Sequence, residues 1–417
     1  MKGMFKVLIW TALLLALSFI YAGSNEASAK EFTDVPKKHP NYAAIQEMQK
    51  AGFINGYPDG KFRPNEPVSR KHVAKLLDNA LNFPQPAKDK YVFADVPKNH
   101  AYYRPIMKLY NEGIISGGTN GKFNPDASLT RIQMAKILDL AFDLKIDERQ
   151  GSFNDMYMFH WGYVHAMALY STGVSKGDNG NYLPNKPVTR AHYAEFLSRA
   201  MKVKKEDPNA AAVSKAKAVD LSIRLPLILE GTRIQGKVEK KTYSQIRSKI
   251  LPYATVRFTD GLLKSDYPYV CTECDSFLFP YITMELSMRF DYSQPDPNTL
   301  KVRTILLNSP GPMSGGGFVD FMFKKESGTW KMHDYTYTQI GKKNFELTQQ
   351  EAEQIVKYNY SFNSSTPVKV TFVSKSRLTD KDPVTKESYP FDQYKFTVQY
   401  SNGRETVSVN SNDGWME

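Results

Sequence analysis

The sequence predicts a multi-domain chain in which an all-α region of helical repeats is followed by an α+β region with antiparallel sheets. Two observations lead to this fold class. In the first half a turn-rich stretch recurs with a period of about sixty residues, and in the second half alternating apolar and polar residues replace helical spacing. With 417 residues, of which 41% are hydrophobic and 24% charged, the chain is long enough for two or three domains.

The N-terminus has the features of a secretory signal. Lys2 and Lys6 precede an uncharged run, Val7–Ala22, and the following polar stretch closes on Ala27–Ala29. This arrangement predicts a cleaved signal peptide over residues 1–29. The alternative, a permanent membrane anchor, is disfavoured because the run is shorter than the roughly 20 residues that span a bilayer. After cleavage the protein is expected to be secreted and not to be held in a membrane.

Three stretches share one order of glycine, aromatic, proline, hydroxyl and arginine residues. They read GYPDGKFRPNEPVSR, GGTNGKFNPDASLTR and GDNGNYLPNKPVTR, and begin at Gly56, Gly117 and Gly177. A tetrapeptide, FTDV, FADV or FNDM, opens each unit and contributes Asp34, Asp95 or Asp155. The sequence therefore predicts three repeats, at 30–86, 87–147 and 148–205.

Each repeat is predicted to contain two helices. Apolar residues three apart mark the buried face of a first helix, which begins near Tyr42, Tyr103 or Tyr163. A glycine ends this helix, at Gly52, Gly113 or Gly173. A serine or threonine then caps a second helix, whose apolar residues recur at i, i+3, i+4 and i+7. Helices with these faces are expected to share a core.

An arginine occupies the first position of each second helix, at Arg70, Arg131 and Arg190. The helix dipole disfavours a cation there by about 0.3–1 kcal/mol, so another contact must compensate. One hypothesis is that the arginine, the free amides of the helix start and the hydroxyl cap form a receptor for a carboxylate or phosphate. The alternative is an ion pair between each arginine and the opening aspartate 35 or 36 residues earlier. The spacing allows both.

The region Glu31–Val203 resembles three tandem S-layer homology (SLH) repeats. The motifs F-x-D-V, D-G-x-F-x-P and a T-R-A-E type tetrapeptide recur in that order, although the tetrapeptide here reads SRKH, TRIQ and TRAH. The third repeat also has FNDM and a loop that is one residue shorter. The resemblance implies a three-pronged pseudo-trimer that anchors a secreted protein noncovalently to the Gram-positive cell wall. Its implied ligand is a pyruvylated secondary cell wall polysaccharide.

The resemblance also implies ligand-binding roles at the recurring positions. The aspartates would hold sugar hydroxyls or the arginines, the arginines would meet the ketal carboxylate, and the glycines would admit the glycan: Asp34, Asp95 and Asp155; Arg70, Arg131 and Arg190; Gly56, Gly117 and Gly177. Other S-layer proteins are further expected partners. Lys30–Lys205 carries 26 basic against 17 acidic side chains, which fits a polyanionic partner. An extracellular location argues against nucleic acid.

Histidine recurs at one position of the repeat, at His39, His100 and His160. Because the ligands of one metal ion must converge and these residues belong to separate repeats, a turn or capping role is favoured over a metal site. Trp161 is a candidate for stacking on a sugar, although a core position is the commoner role for tryptophan. Neither a metal nor a cofactor is expected.

The second half is predicted to contain two α+β units after a charged linker at 206–222. The first, 223–345, has a helix at Tyr243–Leu251 and strands at Tyr281–Tyr292, Leu300–Leu307, Phe318–Lys324 and Trp330–Thr338. Its order is similar in outline to the nuclear-transport-factor-2-like (NTF2-like) group. The second, 346–417, is a helix at Leu347–Tyr358 with a Thr348–Glu351 capping box, followed by strands at Val368–Ser374, Tyr394–Tyr400 and Glu405–Val409.

No catalytic residue is assigned in the second half. Cys271 and Cys274 form a single C-x-x-C, whereas zinc sites usually need four ligands, so a local disulfide or two idle thiols are favoured. The favoured function is a noncatalytic module displayed at the cell wall, in or beneath an S-layer. The alternative is a wall-anchored hydrolase with a pair of catalytic carboxylates. Glu273, Asp275 and Glu285 are close in sequence, but sequence does not give their separation in space.

Overall fold

The computed structural model of the chain divides into two compact units. One comprises Met1–Leu129 with Pro187–Arg199, and the other Thr130–Lys186 with Ala200–Glu417. The structure describes residues 31–86, 92–118, 120–147, 153–203, 212–272, 277–280, 282–307, 316–340, 345–361, 368–381, 388–400 and 403–416. The predicted signal peptide lies outside these residues. No helix within the described ranges is both long enough and apolar enough to cross a bilayer.

The repeats are built from paired helices, as predicted. These are α1 (Tyr42–Lys50), α2 (Arg70–Leu81), α3 (Tyr103–Asn111), α4 (Arg131–Phe142), α5 (Tyr163–Ser171) and α6 (Arg190–Met201). Most residues of the predicted apolar faces are buried, although Leu76, Ala80 and Leu81 of α2 are only partly buried. Each first helix ends at a glycine with a left-handed backbone, with φ of 73°, 71° and 74° at Gly52, Gly113 and Gly173. Glycine adopts this conformation without the steric cost of a Cβ atom.

Three backbone hydrogen bonds join the three repeats in a cycle within the first unit. Val68 N–H donates to the carbonyl of Val188 (2.9 Å), Leu129 N–H donates to Val68 (2.9 Å), and Val188 N–H donates to Leu129 (2.8 Å). All three side chains are buried. Each residue stands just before the cap of a second helix, so the cycle joins the same position of the three repeats.

A long helix, α7 (Lys215–Val238), overlaps the linker predicted at 206–222. Residues 204–211 lie outside the described part of the chain, but Ser214 caps α7 by accepting a hydrogen bond from Lys217 N–H (3.0 Å). The helix contains Pro226 and buries residues on all its sides. A helix without a polar face has no amphipathic period, and for this reason the sequence pattern does not reveal it.

The following residues form a four-stranded antiparallel sheet with helices before it. After α8 (Tyr243–Ile250) and short helical turns over 256–269 come α9 (Thr283–Met288), β1 (Phe290–Asp296), β2 (Thr299–Leu306), β3 (Gly317–Glu326) and β4 (Thr329–Gln339). The strands pair in sequence order. The strand predicted at Tyr281–Tyr292 is wrong over most of its length, because Thr283–Met288 is helical and β1 begins only at Phe290.

A second, three-stranded sheet closes the chain. Helix α10 (Gln349–Ser361) precedes β5 (Lys369–Lys381), β6 (Ser388–Tyr400) and β7 (Gly403–Asn410), and β6 is the middle strand. The predicted capping box is present, since Thr348 N–H donates to Glu351 (2.7 Å) and Glu351 N–H donates to the Thr348 hydroxyl (3.2 Å). A shared apolar core joins Ile305 and Leu307 to the second sheet. The predicted units 223–345 and 346–417 therefore pack directly on each other.

Candidate functional site

Each opening aspartate holds the turn-rich loop of its own repeat. Its carboxylate accepts two backbone N–H bonds of 2.7–2.8 Å, from Phe62 and Arg63 to Asp34, from Phe123 and Asn124 to Asp95, and from Tyr182 and Leu183 to Asp155. Burial opposes ionisation of Asp95, but the two backbone donors outweigh burial and hold its pKa below the usual range. Among the described residues none of these aspartates pairs with Arg70, Arg131 or Arg190.

The second residue of each N–H pair has a left-handed backbone although it is not glycine. The φ angles are 60° at Arg63, 57° at Asn124 and 59° at Leu183. This conformation costs a non-glycine residue about 1–2 kcal/mol, and the aspartate bond at the same N–H offsets part of that cost. A proline follows each of them and accepts a hydrogen bond from a helix of another repeat, as described below.

Each arginine reaches the loop of the next repeat, and the third returns to the first. Arg70 Nε donates to the Phe123 carbonyl (2.9 Å), Arg131 Nε to Tyr182 (2.8 Å) and Arg190 Nε to Phe62 (2.7 Å). The Nη2 groups bond to Ser116 O (2.8 Å), Ser175 Oγ (3.4 Å) and Asn55 O (2.9 Å), in the same order. The loop aromatic residue is thus bound through its N–H by its own repeat and through its C=O by the preceding one.

The amides at the starts of the second helices are already occupied by the next repeat. Arg70 N–H donates to Ala127 O (3.0 Å) and Lys71 N–H to Pro125 O (2.9 Å). The matching bonds run from Arg131 to Lys186, Ile132 to Pro184, Arg190 to Glu66 and Ala191 to Pro64. The hypothesis of free helix-start amides as part of an anion receptor is therefore wrong, and the alternative arginine–aspartate ion pair is not formed either. Backbone carbonyl groups that accept hydrogen bonds from the guanidinium groups offset the unfavourable effect of the helix dipole on a cation at the helix start.

Two guanidinium groups keep one edge without a hydrogen-bond partner. At Arg70 and Arg190, Nη1 bonds to no described residue, and no described carboxylate lies within the 4.0 Å of an ion pair. Arg70 lies over the Phe123 ring (4.3 Å from Cζ to the centroid), while Arg190 lies near Phe62 (4.6 Å) and Tyr57 (5.0 Å). Burial lowers the pKa of both arginines, but arginine stays cationic at neutral pH.

The three loop glycines have a packing reason of their own. A Cβ on Gly56 would lie 2.3 Å from the Phe32 ring, one on Gly117 2.5 Å from Phe93, and one on Gly177 2.5 Å from the Asn181 carbonyl. Real Cβ atoms do not approach so closely, so glycine lets the opening phenylalanine pack against the loop. Their ligand role stays a prediction.

The recurring histidines cap turns, as predicted. The Nδ1 atoms of His39, His100 and His160 accept N–H bonds of 3.1–3.2 Å from the residue two places on. Burial lowers the pKa of His160, which favours the neutral imidazole that an acceptor requires. No group of three potential metal ligands occurs among the described residues.

Caps replace the glutamate that the T-R-A-E motif would supply. Thr130 and Gln133 form a capping box, in which Thr130 N–H donates to Gln133 Oε1 (3.1 Å). His72 and His192 stand at the same position and contact their caps through Nδ1, at 2.8 Å from Ser69 Oγ and 3.0 Å from Thr189 Oγ1. The departures from the motif therefore preserve the starts of the helices.

The remaining sequence candidates are described only in part by the structure. Trp161 is 55% exposed beside His160, so its stacking role stays a prediction. Cys271 is disulfide-bonded, whereas Cys274, Glu273 and Asp275 lie outside the described residues. Glu285 is buried.

One buried network of ion pairs is not predicted by the sequence. Arg224 of α7 binds Asp139 of α4 through both Nη atoms (2.6 and 3.2 Å) and Asp220 through Nε (2.9 Å). His165 Nδ1 lies 2.6 Å from the same Asp139. Burial alone would raise the pKa of Asp139, but Arg224 and His165 outweigh burial and lower it. No sequence motif marks this network, because Asp139 is 26 positions from His165 and 85 positions from Arg224.

The three repeats match a known domain family. The family model of the S-layer homology domain matches residues 31–74, 92–135 and 152–194. Residues 31–194 therefore carry three S-layer homology domains, which indicates a protein of the cell surface or cell wall.

Similar proteins include S-layer proteins and enzymes. The S-layer protein sap of Bacillus anthracis is 32% identical over 197 residues, 46% of this chain and 24% of that protein. An uncharacterized cell wall amidase of Bacillus anthracis is 35% identical over 204 residues, 48% of this chain and 37% of the amidase. An endoglucanase of Bacillus sp. strain KSM-635 is 28% identical over 208 residues, 47% of this chain and 22% of the enzyme. The chain thus matches between about a fifth and two fifths of the length of these relatives.

Proposed function

We propose that the repeats bind a pyruvylated secondary cell wall polysaccharide at the arginines and thereby hold a noncatalytic α+β module at the cell surface. The observation that carries this proposal is the free guanidinium edge of Arg70 and of Arg190, partly buried and without a carboxylate partner among the described residues. A desolvated cation binds an anion more strongly than a fully hydrated one does.

The position of each edge supports a ligand that contacts two repeats. Arg70 belongs to the first repeat, but its Nε and Nη2 are fixed by carbonyls of the second, and Arg190 of the third repeat is fixed in the same way by the first. These bonds orient Nη1, so little side-chain entropy is lost when an anion binds. A pyruvyl ketal supplies one carboxylate per sugar, and several such sugars on one polymer would add avidity. Arg131 is included because its Nε bond is equivalent.

The test is sedimentation of the full chain with purified walls, native and chemically stripped of pyruvyl ketals. Because a charge-assisted hydrogen bond contributes about 1.5–3 kcal/mol, Arg70→Ala and Arg190→Ala are each expected to weaken binding to native walls by about tenfold or more. The matched control is Arg63→Ala, which removes an exposed arginine that pairs with Asp59 (3.2 Å) on the same loop. Circular dichroism and thermal melting must show that each variant is folded. If the double variant with both Arg70→Ala and Arg190→Ala is folded and binds native walls like the parent, the proposal is refuted.

The noncatalytic role of the second half is supported by the ion pairs that its acidic side chains form. Asp320 pairs with Arg303 (2.7 Å), Glu351 with Arg289 (2.6 Å), and Glu230 with the buried Arg233 (2.6 Å). The names of the amidase and the endoglucanase belong to those proteins, since each alignment covers less than half of this chain. Zymography of the full chain on wall sugar, over a range of pH and divalent metals, tests this part. A cleared band would identify a hydrolase.

A further inference from the structure

The Arg190 site borders a cavity whose lining includes a tyrosine with a buried hydroxyl, Tyr193. The cavity is lined by Ile54, Asn55, Phe62, Val68, Leu76, Arg190 and Tyr193. Its empty volume, including the open mouth, is about 220 Å³, and it has room for roughly one water-sized group. Four of its seven lining residues are apolar, and the other three are Asn55, Arg190 and Tyr193.

The hydroxyl of Tyr193 has no hydrogen-bond partner among the described residues. Tyr193 is 1% exposed, so water outside the protein does not satisfy this group. Leaving a buried hydroxyl unpaired costs about 1–3 kcal/mol. The same helix position carries Val73 in α2 and Met134 in α4, which shows that an apolar side chain serves the packing there. The hydroxyl is therefore an extra polar group in a core position.

Tyr193 and Arg190 lie three residues apart on α6, so their side chains share one face of the helix. Arg190 uses Nε and Nη2 for the carbonyls of Phe62 and Asn55 and keeps Nη1 unbonded among the described residues. A carboxylate has two oxygens, and this site offers two separate donors. The apolar walls suit a carboxylate that carries a small alkyl substituent better than a phosphate, whose further oxygens would meet Ile54, Val68 and Leu76.

We propose that the Arg190 site contains an inner subsite in which one carboxylate oxygen of the ligand enters the cavity and accepts a hydrogen bond from Tyr193, while the other oxygen meets Arg190. This inference rests on the proposed function, because it presumes that an anionic wall polymer binds at the arginines. It assigns Tyr193 as a specificity-determining residue for a carboxylate next to a methyl group, as in a pyruvyl ketal. The Arg70 and Arg131 sites, with Val73 and Met134 at the matching positions, bind without this contact.

The test is Tyr193→Phe in the full chain, which removes one oxygen and leaves the ring in the core. Binding is measured by sedimentation with native and ketal-stripped walls, in the parent background and with Arg70→Ala, where the Arg190 site carries more of the binding. The expected result is a loss of about tenfold in affinity for native walls in the Arg70→Ala background and no change for stripped walls. The matched control is Tyr394→Phe, whose hydroxyl donates to Leu347 O (3.0 Å) in the second sheet.

A stability measurement separates binding from folding. Tyr193→Phe is expected to melt at or above the temperature of the parent, because it removes an unpaired buried hydroxyl. If Tyr193→Phe binds native walls as tightly as the parent in both backgrounds, or melts markedly lower, the subsite is refuted. If the parent itself binds native and stripped walls equally, the proposed function is refuted, and the subsite that rests on it is refuted as well.

Discussion

At the residue scale, the loop aromatic residues show how one peptide segment serves two repeats. Phe62 donates its N–H to Asp34 of its own repeat and offers its C=O to Arg190 of the third repeat. Phe123 and Tyr182 repeat this arrangement. A substitution of an arginine therefore removes a structural contact as well as a charge, and for this reason each binding experiment above includes a measurement of folding.

Glu285 is a buried carboxyl group whose ionisation should make stability depend on pH. It forms no ion pair with a described residue, and burial raises its pKa from 4.5 to about 7 despite a hydrogen bond from Leu307 N–H. A folded-state pKa above the unfolded value means that its contribution to stability is present below pH 4.5 and is lost as the pH rises through 7. The loss should approach about 3 kcal/mol, at 1.36 kcal/mol per unit of pKa.

The variant Glu285→Gln should remove this dependence. Urea unfolding at pH 4.5 and pH 8 is expected to show a smaller fall in the free energy of unfolding for the variant than for the parent. Glu353→Gln is the control, since Glu353 is a surface residue that pairs with Lys357 one helical turn away. Parallel pH profiles for the parent and Glu285→Gln would show that the carboxyl is not the titrating group.

At the element scale, α7 is fixed to the repeats by the buried network around Arg224. Arg224→Ala is expected to lower the free energy of unfolding by about 3–5 kcal/mol, because it leaves Asp139 and Asp220 buried without their cation. The control is Arg303→Ala, which breaks an exposed pair with Asp320 and should cost at most about 1 kcal/mol. Chemical denaturation measures both. Equal losses for the two variants would show that the network contributes little.

The elements that can be predicted from the sequence are those whose residue pattern fits only one type of secondary structure. The helices of the repeats were predictable because the same caps, glycines and apolar spacings occur three times. The segment Tyr281–Tyr292 fits both a strand and a helix. Its apolar residues alternate as in a strand, but Ile282 and Leu286 are four apart and also suit one face of a helix. Packing against the second sheet decides in favour of α9, where Met284 and Met288 contact its core.

The same limit applies to the candidate site. The recurring aspartates, arginines and glycines were identifiable because repetition marks them, but the acceptors of their hydrogen bonds were not. Backbone carbonyls such as Phe123 O and Ala127 O carry no sequence signature, so the hypothesis of open helix-start amides could not be rejected before the loops were seen. Tyr193 also had no signature, because it falls at a regular apolar position of α6.

At the scale of the whole molecule, one compact unit contains the α+β region together with Thr130–Lys186, which includes the first helix of the third repeat. Phe159 of the third repeat packs on Phe277 (4.8 Å between ring centroids), and a Cβ on Gly231 of α7 would lie 3.1 Å from the Phe159 carbonyl. The part of the repeats within Thr130–Lys186 is therefore expected to depend on the α+β region for its stability.

A chain that ends at Val203 should accordingly lose protection against amide hydrogen exchange in part of the repeats. Hydrogen exchange is expected to be faster in α4 and α5 than in the full chain, because Asp139 and His165 lose Arg224 and Phe159 loses its cover. Helices α1 and α2 serve as the internal control, since the contacts that hold their ends lie within the first unit. Equal exchange of α4 and α5 in the two chains would show that the repeats fold without the α+β region.

The cyclic bonds among the repeats also constrain how such a domain can change its length. An open array of repeats can gain or lose one copy at an end, because each copy meets only its neighbours. Here the helix start of the third repeat needs the loop carbonyls of the first, and Val68, Leu129 and Val188 bond in a cycle of three. A single duplication or deletion would leave amides without acceptors. We expect gene duplication to have added or removed these repeats only as a complete set of three.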